Sequence, residues 1–217
     1  MASYANMQYR IAYELTRHDL NTADATLGSS AIKQAIQSAI AEYQREHFYF
    51  NETAYDTWDA VVDQENYTEG SGGVASDIIK IVSLATVQSS VRHPVRRRDW
   101  DYIEARQTGA VKSSLVTDFA YFGLKFRMYP IPNAAQTFSL AYVQRVTAPS
   151  ADGDTGAWVN EAEELIRAAA KKRLFQQILF DADRAAAMEQ AEAAALAALR
   201  RETRLRTGTG RIKATQF

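Results

Sequence analysis

The sequence predicts an α+β protein that is mainly α, built as a helical bundle with a β-rich insertion module and an extended C-terminal helix and tail. Apolar residues recur at helical spacing near both ends of the chain, whereas segments in its middle alternate apolar and polar residues as strands do. The predicted segments are the N-terminal helices of the bundle at 1–47, a β-containing middle module at 48–156, the C-terminal helices at 157–205 and a flexible basic docking tail at 206–217.

Two amphipathic helices are predicted in the N-terminal segment. The first covers residues 2–20, and the second begins after Gly28, where Ser29 or Ser30 can cap it, and ends near His47. Their apolar stripes are Tyr4, Met7, Ile11 and Leu15, and Ile32, Ile36, Ile40 and Tyr43. Because each stripe needs an apolar partner surface, we expect both helices to pack into the bundle.

The middle module is expected to contain several strands and one short helix. The predicted elements are strands at 48–52 and up to about Val62, a strand or a helix at 78–87, a short helix from Asp99 to Gln107, and strands at 121–128 and 138–143. The last two strands flank the turn Pro130-Ile131-Pro132-Asn133, whose prolines fix the backbone and lack donors. We therefore predict that these two strands pair as a hairpin.

The C-terminal segment is predicted to form a helical hairpin followed by a tail. Asn160 can cap a first helix that continues to Phe180, with glutamates in its first turn, where they suit the helix dipole. Asp181-Ala182-Asp183 separates it from a second helix that is rich in alanine, the best helix former. Signals of order stop after Leu205, so we expect a flexible basic end suited to docking rather than to catalysis.

The composition excludes several classes of function. With 217 residues, 47% of them hydrophobic and 24% charged, the chain resembles an ordinary soluble globular protein. It contains no cysteine, which excludes disulfides, thiolate zinc sites and cysteine nucleophiles, and its net charge of −1 does not suit a general polyanion binder. Arg10, Glu14 and Arg17 interrupt the apolar residues near the N-terminus, so we expect neither a signal peptide nor a membrane span.

Charge is unevenly distributed along the chain. Residues 51–77 contain acidic residues but no Lys or Arg, whereas basic residues dominate after Leu199. A compact positive patch is formed by Arg92, Arg96, Arg97 and Arg98. Three interpretations of this patch stay open: contact with a protein, including the acidic stretch of a neighbouring copy, a solvated loop, or nucleic-acid phosphates, whose binding would weaken steeply with salt.

The sequence contains no motif typical of catalysis or metal binding. The candidate residues are His18, His47, His93, Asp56, Asp59 and Asp63. The histidines belong to no metal-ligand pattern, and the aspartates lack the spacing of a calcium loop. We therefore expect no enzyme activity, no cofactor and no metal. An enzyme with a carboxylate-bound metal would depend on the acidic stretch alone.

Several motifs together resemble a known family. They are Met7-Gln8-Tyr9-Arg10-Ile11-Ala12, the isoleucine stripe that follows, Phe48-Tyr49-Phe50-Asn51-Glu52, Met128-Tyr129-Pro130-Ile131-Pro132, and Trp158-Val159-Asn160 leading to Phe180-Asp181. Their succession covers most of the chain and is similar to that of the head–tail connector adaptors of tailed double-stranded DNA bacteriophages. These proteins are also called head completion or tail accessory factor proteins.

The resemblance implies a structural virion protein in the neck, between capsid and tail, assembled in the host cytoplasm. It implies a ring of twelve subunits under the portal that extends the DNA channel, helps to retain packaged DNA and provides the attachment surface for the tail. The implied partners are the portal protein, a downstream tail or nozzle protein and further copies of the chain. Packaged DNA would pass without sequence-specific contact, and no membrane is involved.

The resemblance also implies that the C-terminal segment reaches the portal. The residues expected to bind the portal are Arg200, Arg201, Arg204, Arg206, Arg211, Lys213 and Phe217. The arginine patch is not part of the resemblance, and we expect its residues Arg92, Arg96, Arg97 and Arg98 to contact a neighbouring subunit or the channel. The alternative is a nucleic-acid-binding module that uses the Arg92–Arg98 patch.

Overall fold

A computed structural model describes residues 3–24 and 28–207, with only the backbone of Thr207. These residues divide into two compact units. Asn51–Arg145 forms one, called here the sheet unit, and the segments before and after it form the other, called the helical unit. None of the helices within the described ranges is both long and apolar enough to cross a membrane.

The described residues form helices and strands in the following order. The helices are α1 (Tyr4–Glu14), α2 (Ala31–Tyr43), α3 (Trp100–Arg106), α4 (Ala157–Asn160), α5 (Glu163–Leu174) and α6 (Ala182–Thr207). The strands are β1 (Glu52–Asp59), β2 (Asn66–Thr68), β3 (Ile78–Gln88), β4 (Val91–Arg97), β5 (Lys112–Ser113), β6 (Asp118–Phe122), β7 (Lys125–Tyr129), β8 (Ile131–Pro132) and β9 (Thr137–Gln144). Short 3-10 turns lie at His18–Asn21 and Tyr49–Asn51.

The helical unit packs its helices around one apolar core. The predicted stripes of α1 and α2 are buried in it, and the Ser30 hydroxyl caps α2 by accepting a hydrogen bond from the backbone N–H of Lys33 at 3.1 Å. Trp158 of α4 makes edge contacts with Phe48 and Phe50, and its indole N–H donates to the carbonyl of Val146 at 3.1 Å. This core holds α5 in place for the helix that follows it.

The connection between α5 and α6 differs from the predicted continuous helix. The segment from Asn160 to Phe180 breaks between α4 and α5, and α5 continues into a π-helical turn at Phe175–Leu179. Phe180 then adopts a left-handed conformation and ends the turn. The carboxylate of Asp181 accepts a hydrogen bond from the backbone N–H of Arg184 at 3.0 Å, so α6 begins with a side-chain cap.

The sheet unit contains a seven-stranded mixed sheet with strand order β1-β9-β3-β4-β6-β7-β2, and a second sheet in which β5 pairs with β8. The large sheet curls, because residues from its two ends meet in one core. Trp58 of β1 lies 5.6 Å from the ring of Phe126 in β7, and Tyr67 of β2 lies 5.4 Å from the ring of Phe138 in β9. The inner face of the sheet therefore supplies the core of this unit.

The predicted fold class, a mainly α protein with a helical bundle and a β-rich insertion, is wrong. Of the described residues, 42% are helical and 25% lie in strands, which makes this a sheet-rich α+β protein. Residues 78–87, for which the sequence predicts either a strand or a helix, form a strand, and the basic segment at 91–97 is a strand as well. Proline has no backbone N–H to donate to a neighbouring strand. Pro94 is tolerated in β4 because β6 pairs with this strand only at Arg96 and Arg97, after the proline.

The predicted hairpin between 121–128 and 138–143 is also wrong. Strand β9 pairs with β1 and β3, whereas β7 turns back on β6 through Gly123 and Leu124. Both turn residues have positive φ, 59° and 60°, as a two-residue type I′ hairpin requires. The alternation predicted to bury Phe122 and Leu124 therefore ends at the turn, which leaves both side chains exposed.

Candidate partner-binding surfaces

Helix α6 is fastened to the helical unit by a buried polar cluster. Glu192 lies in the middle of α6, with its side chain only 5% exposed. Its carboxylate accepts a hydrogen bond from the Tyr43 hydroxyl of α2 at 2.5 Å and pairs with the ammonium of Lys172 in α5. One carboxylate therefore links three helices. Because the cluster is buried, removing the carboxylate would leave the Lys172 ammonium and the Tyr43 hydroxyl without a partner and poorly solvated.

Two of the predicted portal-binding arginines hold the C-terminal part of α6 against the rest of the unit. The guanidinium of Arg200 donates to the carboxylate of Glu46 at 3.2 Å. Arg206 pairs with Glu202 at 2.5 Å, and its guanidinium lies 3.8 Å from the ring centroid of Tyr49. These contacts within the unit fix the direction of the last turns of α6.

Other residues of the same turns point to solvent. Arg201 and Arg204 are exposed and form no ion pair with another described residue, and Leu205 beside them is 72% exposed. The end of α6 thus has two sides. Arg200 and Arg206 lie on the side that contacts the rest of the helical unit, called here the fastened side, and Arg201, Arg204 and Leu205 lie on the solvent-exposed side, called the free side. The remaining predicted portal-binding residues, Arg211, Lys213 and Phe217, lie outside the residues that the structure describes.

The tyrosines that contact α6 should make the stability of the helical unit sensitive to alkaline pH. Burial and the hydrogen bond to Glu192 raise the pKa of Tyr43, and burial with the hydrogen bond to Glu161 raises the pKa of Tyr49 to about 12. In the unfolded chain both hydroxyls ionise near pH 10. Their contribution to stability is therefore complete below pH 10 and is lost as the pH rises further.

We expect the melting temperature to fall by several degrees between pH 9 and pH 11, and Tyr43→Phe to reduce this fall. Thermal melts followed by circular dichroism at both pH values measure it. Tyr13→Phe is the control, because that tyrosine is largely exposed. An equal pH dependence in the wild type and in Tyr43→Phe would contradict the assignment.

The arginine patch of the sheet unit is divided by the structure. The guanidinium of Arg92 lies over the ring of Tyr55 at 4.9 Å. Arg98 donates to Asp118 at 2.9 Å and lies over the ring of Tyr102 at 5.0 Å. Arg96 and Arg97 are exposed and form no ion pair with another described residue. Arg92 and Arg98 thus contact aromatic or acidic neighbours, whereas Arg96 and Arg97 face solvent without such a contact.

The candidate metal-binding aspartates have structural roles. The structure brings no three His, Asp or Glu residues into a metal-binding arrangement within the described ranges. Asp56 accepts a hydrogen bond from the Tyr142 hydroxyl at 3.2 Å, and Asp59 accepts one from Thr137 at 2.8 Å. Asp63 pairs with Lys112 at 2.8 Å. Each aspartate therefore stabilises a strand or a loop of the sheet unit.

One cleft of the helical unit could resemble an active site. It has a volume of about 340 Å³ and is lined by residues of α1, α5 and α6, among them Glu14, Lys171, Arg184 and Met188. The ammonium of Lys171 lies 2.8 Å from the carboxylate of Glu14, and Arg184 pairs with Asp181 at the start of α6. These charged groups form ion pairs that link neighbouring elements of the helical unit.

Sequence reasoning missed a group of exposed apolar residues in the sheet unit. Phe122 and Leu124 at the β6–β7 turn are 71% and 62% exposed. Val61, Val62 and Val111 form a second exposed group. Gly123 was the available signal, since a glycine inside an alternating segment often marks a turn or a bulge.

The family model of the SU10 adaptor protein matches residues 2–213 of the chain. The chain belongs to the SU10 adaptor protein family. No curated protein matches it. Membership confirms the resemblance inferred from the sequence motifs, because SU10 adaptors are structural phage proteins and not a known enzyme family. This family belongs in the virion neck, in association with portal and tail components.

For an SU10 adaptor, exposed surfaces that could bind neighbouring proteins matter more than clefts. The structure shows such surfaces in each unit: the free side of the α6 end in the helical unit, and Arg96, Arg97 and the exposed apolar residues in the sheet unit. They are the surfaces from which its neck contacts can be argued.

Proposed function

We propose that the chain assembles in the host cytoplasm as a ring under the portal, through which it extends the DNA channel, helps to retain packaged DNA and provides the attachment surface for a downstream tail or nozzle protein. A ring of twelve copies follows the family resemblance. Closed rings need two different surfaces on each subunit, one for each neighbour. The adaptor family and the separate exposed surfaces of the chain support this proposal.

The observation that best supports a portal contact is the division of the α6 end into a fastened side and a free side. Arg200 and Arg206 fix the helix by contacts within the helical unit. Arg201, Arg204 and Leu205 are thereby presented to solvent in a defined geometry, with cations beside an apolar side chain. Arginine beside apolar surface is typical of protein interfaces. We assign these three residues, together with the tail from 208, to portal binding.

The portal contact can be tested by mixing the purified full chain with purified portal and separating the complex by size. We expect a complex with the full chain, and we expect removal of residues 208–217 to weaken it while the circular dichroism spectrum is unchanged. The control is the full-length chain with Arg211 and Lys213 replaced by alanine, which tests whether the charge of the tail alone explains its effect. Undiminished binding by the truncated chain would exclude the tail from the contact.

We assign Arg96 and Arg97 to contact with a neighbouring subunit or with the channel, because they are the exposed arginines of the patch that have neither an ion pair nor a cation–π contact with an aromatic ring in the described part of the chain. The alternative, a nucleic-acid-binding module, predicts that the free chain binds duplex DNA and that binding weakens with salt. Arg96→Ala with Arg97→Ala should then abolish binding. We expect no DNA binding by the free chain near physiological salt, and fluorescence anisotropy with a labelled duplex measures it.

A further inference from the structure

The turn between β6 and β7 exposes two large apolar side chains where neither the core nor the backbone requires them. Phe122 is 71% and Leu124 is 62% exposed. Leu124 also has φ +60°, a conformation that is unfavourable for an L-residue with a bulky side chain and that glycine or asparagine adopts more easily. A leucine that is unfavourable for both the turn and solvation indicates a role in contact with another molecule.

The turn is held rigidly in the sheet unit. The carbonyl of Leu124 accepts a hydrogen bond from the backbone N–H of Glu69 at 2.9 Å. The ring of Phe122 lies 5.9 Å from that of Trp100, which in turn lies under the guanidinium of Arg127. We call Phe122, Leu124 and the adjacent Lys125 the hairpin tip. Because it is fixed before binding, little conformational entropy is lost when it enters a partner's surface.

A second exposed apolar surface lies at the other end of β7. Val61, Val62 and Val111 are 54%, 51% and 40% exposed, and we call them the valine patch. Hydrogen bonds place both of its segments beside β8, which directly follows β7: the N–H of Asp63 donates to Pro132 at 2.8 Å, and the carbonyl of Val111 accepts from Ile131 at 2.9 Å. Phe122 and Leu124 lie before the first residue of β7, whereas the valine patch lies beside β8, which follows its last residue, so the two surfaces lie at opposite ends of this strand.

The charges of the two surfaces are complementary. Lys125 at the hairpin tip is exposed and forms no ion pair with another described residue. The valine patch is flanked by the carboxylates of Asp59 and Asp63. Asp63 already pairs with Lys112 beside Val111, so the exposed Asp59 supplies the carboxylate that forms no ion pair with another described residue. The mixed charges next to the apolar groups suit a protein surface better than lipid, because a membrane would have to desolvate the acidic groups.

We propose that the hairpin tip of one copy packs against the valine patch of the next copy in the ring. The two surfaces differ, so the contact is heterologous and propagates around a ring instead of ending at a dimer. This inference depends on the proposed ring and names one of its contacts. It assigns Phe122 and Leu124 to the apolar centre and Lys125 to a pair with Asp59.

Cross-linking tests this contact directly, because the chain contains no cysteine of its own. Leu124→Cys and Val62→Cys are prepared separately, mixed, assembled on the portal and oxidised. We expect disulfide-linked dimers of one variant with the other, and a ladder of longer products from the double variant. Val82→Cys replaces Val62→Cys in the control, since Val82 is 61% exposed but lies on β3, outside both surfaces.

We expect at least about tenfold more cross-linked product than in the control mixture, because a disulfide needs the two Cα atoms within roughly 7 Å. Product no greater than in the control, in particles whose ring is visible by electron microscopy, would overturn the contact and leave the proposed ring standing. The hairpin tip would then belong to a contact with another neck protein. Absence of any ring on the portal would overturn both proposals.

Leu124→Gly provides a second test that does not depend on cross-linking. Glycine adopts the left-handed backbone conformation of this position without strain, so the melting temperature should rise by about 2 °C or more. We nevertheless expect about tenfold weaker ring assembly, because the apolar contact is lost. Unchanged assembly by this more stable variant would overturn the proposal.

Discussion

Replacing Glu192 by alanine should lower the free energy of unfolding by about 3 kcal/mol, because it leaves both the Tyr43 hydroxyl and the Lys172 ammonium without their shared carboxylate. Glu192 is almost fully buried, and Lys172 is only 17% exposed. Alanine is the better helix former, so the loss cannot come from helix propensity. Urea unfolding followed by circular dichroism measures the change.

Glu189→Ala is the matched control for this experiment. Glu189 lies on the same helix, three residues earlier, but its side chain is exposed. We expect that substitution to change stability by less than about 0.5 kcal/mol. A loss of under about 1 kcal/mol in Glu192→Ala, or an equal loss in the control, would show that the buried cluster does not hold α6 in place.

Reversing the charge of Arg201 and Arg204 together should weaken portal binding by about 100-fold, which corresponds to about 2.7 kcal/mol. The physical reason is that both guanidinium groups are presented by a fixed helix, and like charges placed against their partner groups repel. Both residues are exposed, so the melting temperature should not change measurably. Surface plasmon resonance on immobilised portal measures the affinity.

A matched control separates a local contact from general attraction between charges. Arg184→Glu makes the same change near the opposite end of α6, where Arg184 is exposed. Compared singly, Arg201→Glu should weaken binding by about tenfold, whereas Arg184→Glu should have little effect. Equal losses for the two variants would show that binding depends on net charge, and the assignment of the free side of α6 would then be wrong.

Local signals in the sequence were sufficient where one physical preference dominated. The isoleucine stripe and the serine pair predicted α2, and the structure confirms both the helix and a cap by Ser30. The motif order predicted the adaptor family, which the family model confirms. In these cases helical periodicity, capping chemistry and motif succession do not depend on contacts distant in sequence.

The strand content could not be predicted in the same way, because pairing partners decide it. Strand β4 contains Pro94 and several arginines, a composition typical of loops, yet it pairs with β3 along most of its length. The I′ turn at Gly123-Leu124 lacks the usual Asn-Gly sequence, so the alternation on either side looked like one strand. Pairing distant in sequence thus overrode local composition, and the mainly α prediction failed.

The candidate site was predicted only as a set of basic residues, and the structure separates its members. Because α6 is rich in alanine on all sides, no apolar stripe in the sequence shows which side of the helix is buried. Only the positions of Glu46 and Tyr49 distinguish the fastened Arg200 and Arg206 from the free Arg201 and Arg204. That distinction depends on tertiary contacts and so could not come from helix phase alone.

The proposed role as a portal-bound ring is tested most directly by electron microscopy of purified portal mixed with the purified full chain. We predict a closed ring of added density on one end of the portal, with the end of α6 directed at the portal. Portal particles without added density, or a chain bound through the sheet unit with the end of α6 facing solvent, would contradict the proposal.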